Sequence, residues 1–231
     1  MDKLPTVEAI LERQAKAWEM NRRLADRETG AAARKGPWIT VSRQLGSGGT
    51  ELAQRLGQEL EWQVFDQEIL TTIARHTHTR ETVLAQLDER AIGPLIDYIW
   101  RVLDPKIPGQ VDFLQEMLRV VWGLAQQGNA IIVGRGANWF LDPRYGLRLR
   151  IVAPFEARVR YLVDKRRLPA SEAERDIRDN DARQEDFVRK VFARDIDDPL
   201  GYEMLINMGS TDLETAATVA VAALRLRVRR A

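Results

Sequence analysis

The chain has 231 residues, enough for one large domain or for one domain with a smaller appendage. Its 35 Lys and Arg against 34 Asp and Glu leave a net charge of +1, which disfavours nucleic acid as a partner, and 45% hydrophobic residues exclude a disordered chain. No run approaches the roughly 18 apolar residues of a membrane span, and zero Cys with only His76 and His78 excludes disulfides and disfavours thiolate or histidine chemistry.

The opening MDKLPTVEAILERQAKAW lacks the apolar stretch and cleavage site of a signal peptide, so the cytoplasm is the expected compartment. Val7, Ile10, Leu11, Trp18 and Leu24 recur at near-helical spacing, which predicts one amphipathic helix over residues 1–36, running out into a linker. Either it packs on its own domain, or it is an arm that reaches a second subunit and makes a homodimer.

From Trp38 onward, short β-rich runs alternate with helical patterns. Residues 38–42 read as a strand, 51–60 as a helix with Leu52, Leu56 and Leu60 on one face, and 64–65 as a second strand. The unbroken AIIV at 130–133 is expected of a strand buried on both faces of a parallel sheet. In the strand at 147–153, Arg148 and Arg150 alternate with Leu147, Leu149 and Ile151, so one face should be polar or reached by solvent. A fifth strand is expected at 202–208, and Thr211-x-x-Glu214 reads as a capping box opening a last helix, whose arginines at 225, 227, 229 and 230 suit a helix C-terminus. This alternation predicts an α/β layered fold on a mainly parallel sheet.

Two stretches interrupt it. Residues 71–127 are a mostly helical insertion broken at Gly93-Pro94 and around Pro105 to Pro108. Residues 168–198 hold a charge-laced helix, expected to start at Ser171-x-x-Glu174, with arginines at 175, 178, 183 and 189; it is either a solvated face or a mobile flap. Trp62, Trp100, Trp122 and Phe113 sit on apolar patterns and are expected in the core.

Between the first strand and its helix lies SRQLGSGGT (42–50). Glycines let consecutive N–H groups turn inward, and the following helix adds its positive end, so Gly46, Ser47, Gly48, Gly49 and Thr50 form an anion cradle. Against the P-loop pattern G-x-x-x-x-G-K-[ST], Gly48 fits the second glycine and Thr50 the hydroxyl that ligates magnesium. Arg43 stands at the first glycine, and Gly49 at the lysine that compensates phosphate charge.

ITVSRQLGSGGTELAQRLGQELEWQVFDQEIL, GNAIIVGRGANWFL, RIVAPFEARVR, the D-x-x-x-R of Asp179 and Arg183, and DDPLGYEMLIN together resemble the cytidylate kinase-like family over about residues 38–228. The resemblance implies a P-loop kinase fold: three α/β layers, a five-stranded parallel sheet, an acceptor-binding insertion at 71–127 and a helical lid at 168–198. It implies ATP and Mg2+ as cofactors, a nucleoside monophosphate such as CMP or dCMP as acceptor, Asp66 and Arg135 as residues that hold the acceptor, and lid arginines that close on the phosphoryl group. Arg183 matches best there, with Arg178 and Arg175 as partners. Three positions depart from the family's pattern: Gly49 for the lysine, Gly136 for an acceptor-reading Asp, and Asn180 for an Asp three residues before Arg183.

Beside the resemblance, Arg43 can supply the positive charge that Gly49 cannot, or be a strand-end arginine paired to a surface acid. Arg135 and the glycine-rich turn both follow strands and should face one crevice. Asp66 can hold magnesium through water, orient the acceptor, or cap the helix that begins near Glu68. Two other functions remain open: a nucleotide-binding regulatory module without catalysis, and a kinase for another small acceptor.

Overall fold

The computed structural model describes residues 37–75 and 110–228. The expected N-terminal helix, residues 76–109 of the insertion, both histidines, Trp100, Arg229 and Arg230 lie outside the described residues.

Strands β1 (Trp38–Arg43), β2 (Gln63–Phe65), β3 (Ala130–Val133), β4 (Gly146–Val152) and β5 (Met204–Asn207) form one sheet in the order β2-β3-β1-β4-β5. Every pair is parallel, with Val41 opposite both Val133 and Leu149. Strands flanked and covered on both sides need apolar groups at consecutive positions, and all of β3 is buried, as are Trp38, Ile39 and Val41. The two edge strands are short, which limits unpaired edge.

Helices α1 (Gly49–Leu60) and α7 (Leu213–Val228) cover one face of the sheet, while α2 (Gln67–Arg75) and α3 (Gln110–Gln127) cover the other. The two-residue period of each strand divides its side chains between these layers. Ile39, Val41, Ile131 and Val133 meet Leu52, Leu56 and Ala217, whereas Trp38, Ala130 and Ile132 meet Leu118 and Val121. Burying each such leucine contributes about 1.5–3 kcal/mol. Trp122 is buried as expected, and Trp62 and Phe113 pack against the core partly buried. Three further helices lie at the carboxyl ends of the strands or lead from them: α4 (Ala137–Phe140), α5 (Phe155–Arg166) and α6 (Ala170–Phe192). Among the described residues no helix is long and apolar enough to cross a membrane.

Several expectations need correction. The last helix begins one residue later than the Thr211 box required. Asp212 caps it, accepting from the Thr215 N–H (2.9 Å) and hydroxyl (2.8 Å), while Glu214 turns away to a two-point pair with Arg55 on α1. Ser171 likewise lies inside the first turn of α6, because Pro169 takes the cap position. The arginine face of β4 needs no such correction: it is polar, one of the two expectations for it, with its charges paired. Arg150 is 3% exposed and bonded to Ser42 and Asp197, and Arg148 binds Glu203 through its backbone N–H and guanidinium. The fifth strand is shorter than 202–208, because Tyr202 turns inward and donates to the Ile196 carbonyl (2.7 Å). Arg227 does not serve its own helix end; it donates to the carbonyls of Gly146 and Pro143 at the start of β4.

Candidate active site

A cleft of about 780 Å³ opens at the carboxyl ends of β1 and β3, where a parallel α/β sheet places its ligands. Its floor is the loop from Ser42 to Thr50. Gly46 (φ +78°) and Gly48 (φ +79°) turn the chain left-handed, and Gly48 is the cap of α1. The loop is held from both sides: Ser47 donates to the Gln44 carbonyl (2.8 Å), and the Gln44 amide oxygen accepts from Ala153 N–H beyond β4 (3.2 Å). Among the described residues no carbonyl takes the N–H of Gly48, Gly49 or Thr50, so these donors and the helix end face the cleft. Thr50 is exposed there, and its hydroxyl makes no hydrogen bond among the described residues.

Position 49 has no room for a side chain. A Cβ at Gly49 would lie 2.5 Å from Arg43 Cβ and 3.2 Å from Ile151 Cβ. Arg43 runs across this glycine, and its Nη1 lies 3.0 Å from where a Cβ on Gly134 would be. Its guanidinium therefore sits between the donor loop and the end of β3. Burial pushes it below its ordinary pKa, which the nearby Asp66 partly offsets. Arg43 has no hydrogen bond or ion pair among the described residues, so it is not the surface-paired strand-end arginine. Arg135 adopts a left-handed conformation (φ 58°) after β3 and donates to Thr71 Oγ1 at 3.1 Å, while its buried Nε has no partner. Burial lowers its pKa, and the neighbouring Arg43 charge lowers it further. Two adjacent half-buried cations, neither neutralised by an acid at contact distance among the described residues, form a site for an anion.

Asp66 accepts from the Ile69 N–H (3.0 Å) and so caps α2. That contact engages one carboxylate oxygen. The side chain is near enough to Arg43 to affect it, but Gln67 rather than Asp66 lines the cleft.

The far wall is α6. Arg183 reaches the cleft with Asn180 and Gln184, whereas Arg178 points away from it, lying over the Phe155 ring (4.5 Å) and beside Glu174 (3.8 Å). Arg175 does not line the cleft either. Asp181, one residue from Asn180, forms a two-point bond with buried Arg158 of α5 (3.0 and 2.8 Å). The Arg158 backbone also abuts Gly46, at 2.9 Å from a Cβ placed there, so one residue braces both the loop and α6.

Several lining residues escaped the sequence reading: Tyr161, Lys165, Arg166, Asn138, Gln184 and Phe187. The run Lys165-Arg166-Arg167 before Pro169 was a visible signal of cations at this mouth. Tyr161 donates to Glu51 in the first turn of α1, a contact that no local pattern announces. At Gly136 (φ +67°) a Cβ would strike the Phe192 ring at 2.1 Å. Phe192 stacks on Phe140 (6.2 Å, 7°) and meets Phe187 edge-on (5.9 Å, 78°), so aromatic carbon occupies the space that a side chain at 136 would need.

Residues 38–210 match the cytidylate kinase-like family. The chain belongs to that family. Its fold is that of the P-loop kinases. A crystal structure of an uncharacterized protein from Eubacterium ventriosum ATCC 27560 superposes with a TM-score of 0.67 at 19% identity, over 83% of this chain and 99% of that one. TT1252 from Thermus thermophilus aligns over 83% of this chain and 99% of its own, at 19% identity and a TM-score of 0.49. Shikimate kinase from Bacteroides thetaiotaomicron aligns over 81% and 98%, at 15% identity and a TM-score of 0.43. No curated protein matches the chain.

Proposed function

We propose that this family member is a phosphotransferase that moves the γ-phosphoryl group of ATP to a small anionic acceptor, a nucleoside monophosphate such as CMP or dCMP being the first choice. One observation carries the reading: the free N–H groups of Gly48, Gly49 and Thr50 and the guanidinium groups of Arg43, Arg135 and Arg183 border a single cleft. Phosphoryl transfer requires positioning and positive charge more than covalent chemistry, and this is a constellation of that kind.

In this reading the loop N–H groups hold the donor phosphates. Arg135, steadied by Thr71, holds the acceptor's anionic group, and Arg183 approaches from α6 as residues 168–198 act as the lid. Magnesium, which takes oxygen ligands and keeps several waters, would neutralise charge between the β- and γ-phosphates. The exposed Thr50 hydroxyl fits a ligand of that kind, and the uncapped oxygen of Asp66 fits one acting through water. Arg178 would join only if α6 moved, since its present partners are Phe155 and Glu174.

The absence of any side chain at Gly49, and the Phe192 ring at Gly136, favour a second reading: a regulatory module that binds nucleotide without turnover. ADP release measured across the nucleoside monophosphates, with calorimetric titration of ATP and CMP, separates the two. Turnover on one or more monophosphates, abolished by EDTA, is the expected result. Binding without turnover on any acceptor supports the regulatory module, and no nucleotide binding at all overturns both.

A further inference from the structure

We infer that the cation of this phosphate-binding loop has been exchanged between two positions. Arg43, at the end of β1, does the work that a P-loop assigns to the lysine at the start of α1, and Arg43 and Gly49 require each other. The inference deepens the phosphotransferase reading and rests on it for the chemistry, though its steric half stands alone.

The steric half follows from the backbone. Positions 43 and 49 are the first glycine and the lysine of the pattern G-x-x-x-x-G-K-[ST], so in that pattern only residue 49 of the two carries a Cβ. Here the roles are reversed. A Cβ at 49 would stand 2.5 Å from Arg43 Cβ, closer than real Cβ atoms come to their neighbours, and a tight 3.1 Å from its Cγ. The Arg43 Cβ cannot swing aside like the tip of a long side chain. It is fixed by a strand whose residue 43 pairs with Ile151 of β4. This loop therefore accommodates a side chain at 43 or at 49, but not both. Removing the Arg43 side chain leaves the Ile151 Cβ, at 3.2 Å, as the nearest neighbour of a Cβ at 49, a contact that a shift of a few tenths of an ångström relieves.

The chemical half follows from where the guanidinium goes. It crosses the loop to Gly134 and stops beside Arg135, within electrostatic reach of Asp66. A lysine on α1 would address the donor phosphates from the helix. Arg43 instead stands between the donor cradle and Arg135, where the transferring group passes. When an anionic oxygen of a phosphomonoester acceptor attacks, its lone pair forms the new bond to the γ-phosphorus. The bond from that phosphorus to the bridging oxygen breaks, and its electron pair leaves on ADP; no proton has to move. The equatorial oxygens in transit are the partners that Arg43 lacks among the described residues. Arg43 is on this account a catalytic residue, and its loss should lower kcat more than donor affinity.

Gly49→Ala, Arg43→Gly and the double variant, each in the full chain, test the exchange by thermal unfolding. Gly49→Ala should lower the melting temperature by about 5 °C or more, and the same substitution should cost less than half as much in the Arg43→Gly background. Equal penalties in both backgrounds, or an unaffected Gly49→Ala, overturn the steric half. Arg43→Ala should lower kcat by about 100-fold, the scale for losing one transition-state donor, while the ATP dissociation constant measured by calorimetry changes less than threefold. The double variant Arg43→Gly with Gly49→Lys should recover at least a tenth of the wild-type turnover, where Arg43→Gly alone does not. An Arg43→Ala protein with wild-type kcat, or a double variant no better than Arg43→Gly, overturns the chemical half. If the wild-type protein binds ATP and transfers nothing, the kinase reading fails, and the unfolding data still decide the pair.

Discussion

Replacing Asp181 by Ala removes both acceptors of the Arg158 guanidinium, bonds of 3.0 and 2.8 Å. The Arg158 side chain is 6% exposed and its Nε already has no partner, so the variant leaves a buried cation with no hydrogen bond to its terminal nitrogens. Breaking such a pair from one side costs about 3–5 kcal/mol. Asp181 is 26% exposed, so water softens the loss, and we take about 3 kcal/mol. At about 2–4 °C per kcal/mol for a domain of this size, the melting temperature should fall by about 6–12 °C. Replacing both partners by apolar residues, Arg158→Met with Asp181→Leu, should recover most of that fall, because the penalty lies in stranding one charge rather than in losing the pair. Arg178→Ala, on the same helix, should move the transition by no more than about 4 °C, since Arg178 and Glu174 form an exposed pair worth about 0–1 kcal/mol. Differential scanning calorimetry at neutral pH decides the matter. An Asp181→Ala protein that melts within 2 °C of wild type would show that α6 is not braced through Arg158, and a double variant worse than the single would refute the charge-stranding argument.

Gly136→Ala combines a left-handed residue, at about 1–2 kcal/mol, with overpacking against Phe192, at about 1–3 kcal/mol. Urea unfolding should register the sum, and Phe192→Leu should relieve the overpacking part; a wild-type midpoint for Gly136→Ala would disprove the contact. Burial holds the Tyr202 phenol above its ordinary value. Its contribution to stability should be constant below pH about 10. Above that it should decline, because the unfolded chain ionises first and the raised native pKa resists. Tyr202→Phe should remove this decline, so the stability difference between wild type and variant should change from pH 8 to 11; a constant difference would refute it.

The strand pattern was readable because burial on both faces leaves consecutive apolar residues, as at 130–133, and because a glycine run between strand and helix has few other uses. What escaped depended on distant partners. Thr211 and Asp212 are both competent caps, and the choice turned on Arg55, more than 150 residues earlier, which draws Glu214 away from a capping box. That Arg148 and Arg150 form a polar face was legible from their alternation, but the partners that neutralise them, Glu203 and Asp197, were not, because they come from the chain that leads to β5. The close approach that excludes a side chain at 49 is set by the direction of Arg43, and one-dimensional spacing holds no record of direction.

The arginines of α6 illustrate the same limit in a form that can be worked through. Arg178 and Arg183 are five residues apart, which at 3.6 residues per turn places them about 140° apart around the axis. A straight helix cannot aim both into one cleft, so the pair could never have acted together without a twist or a rotation of α6. Which of them faces inward depends on how the helix is seated. That seat is set by Ala173 and Ile177, packed beside Leu162, by Val191 against the main core, and by Asp181 held on Arg158. Asp181 is three residues from Arg178, about 60° around the axis, and two from Arg183, about 160°, so holding Asp181 on α5 turns Arg178 the same way and Arg183 away from it. The seat gives Arg183 to the cleft and Arg178 to Phe155. Any closure that brought Arg178 over the donor phosphates would have to rotate α6 by more than a third of a turn and break the buried Arg158–Asp181 pair. Arg183 requires neither, and so it is the arginine of this helix from which catalysis should be tested first.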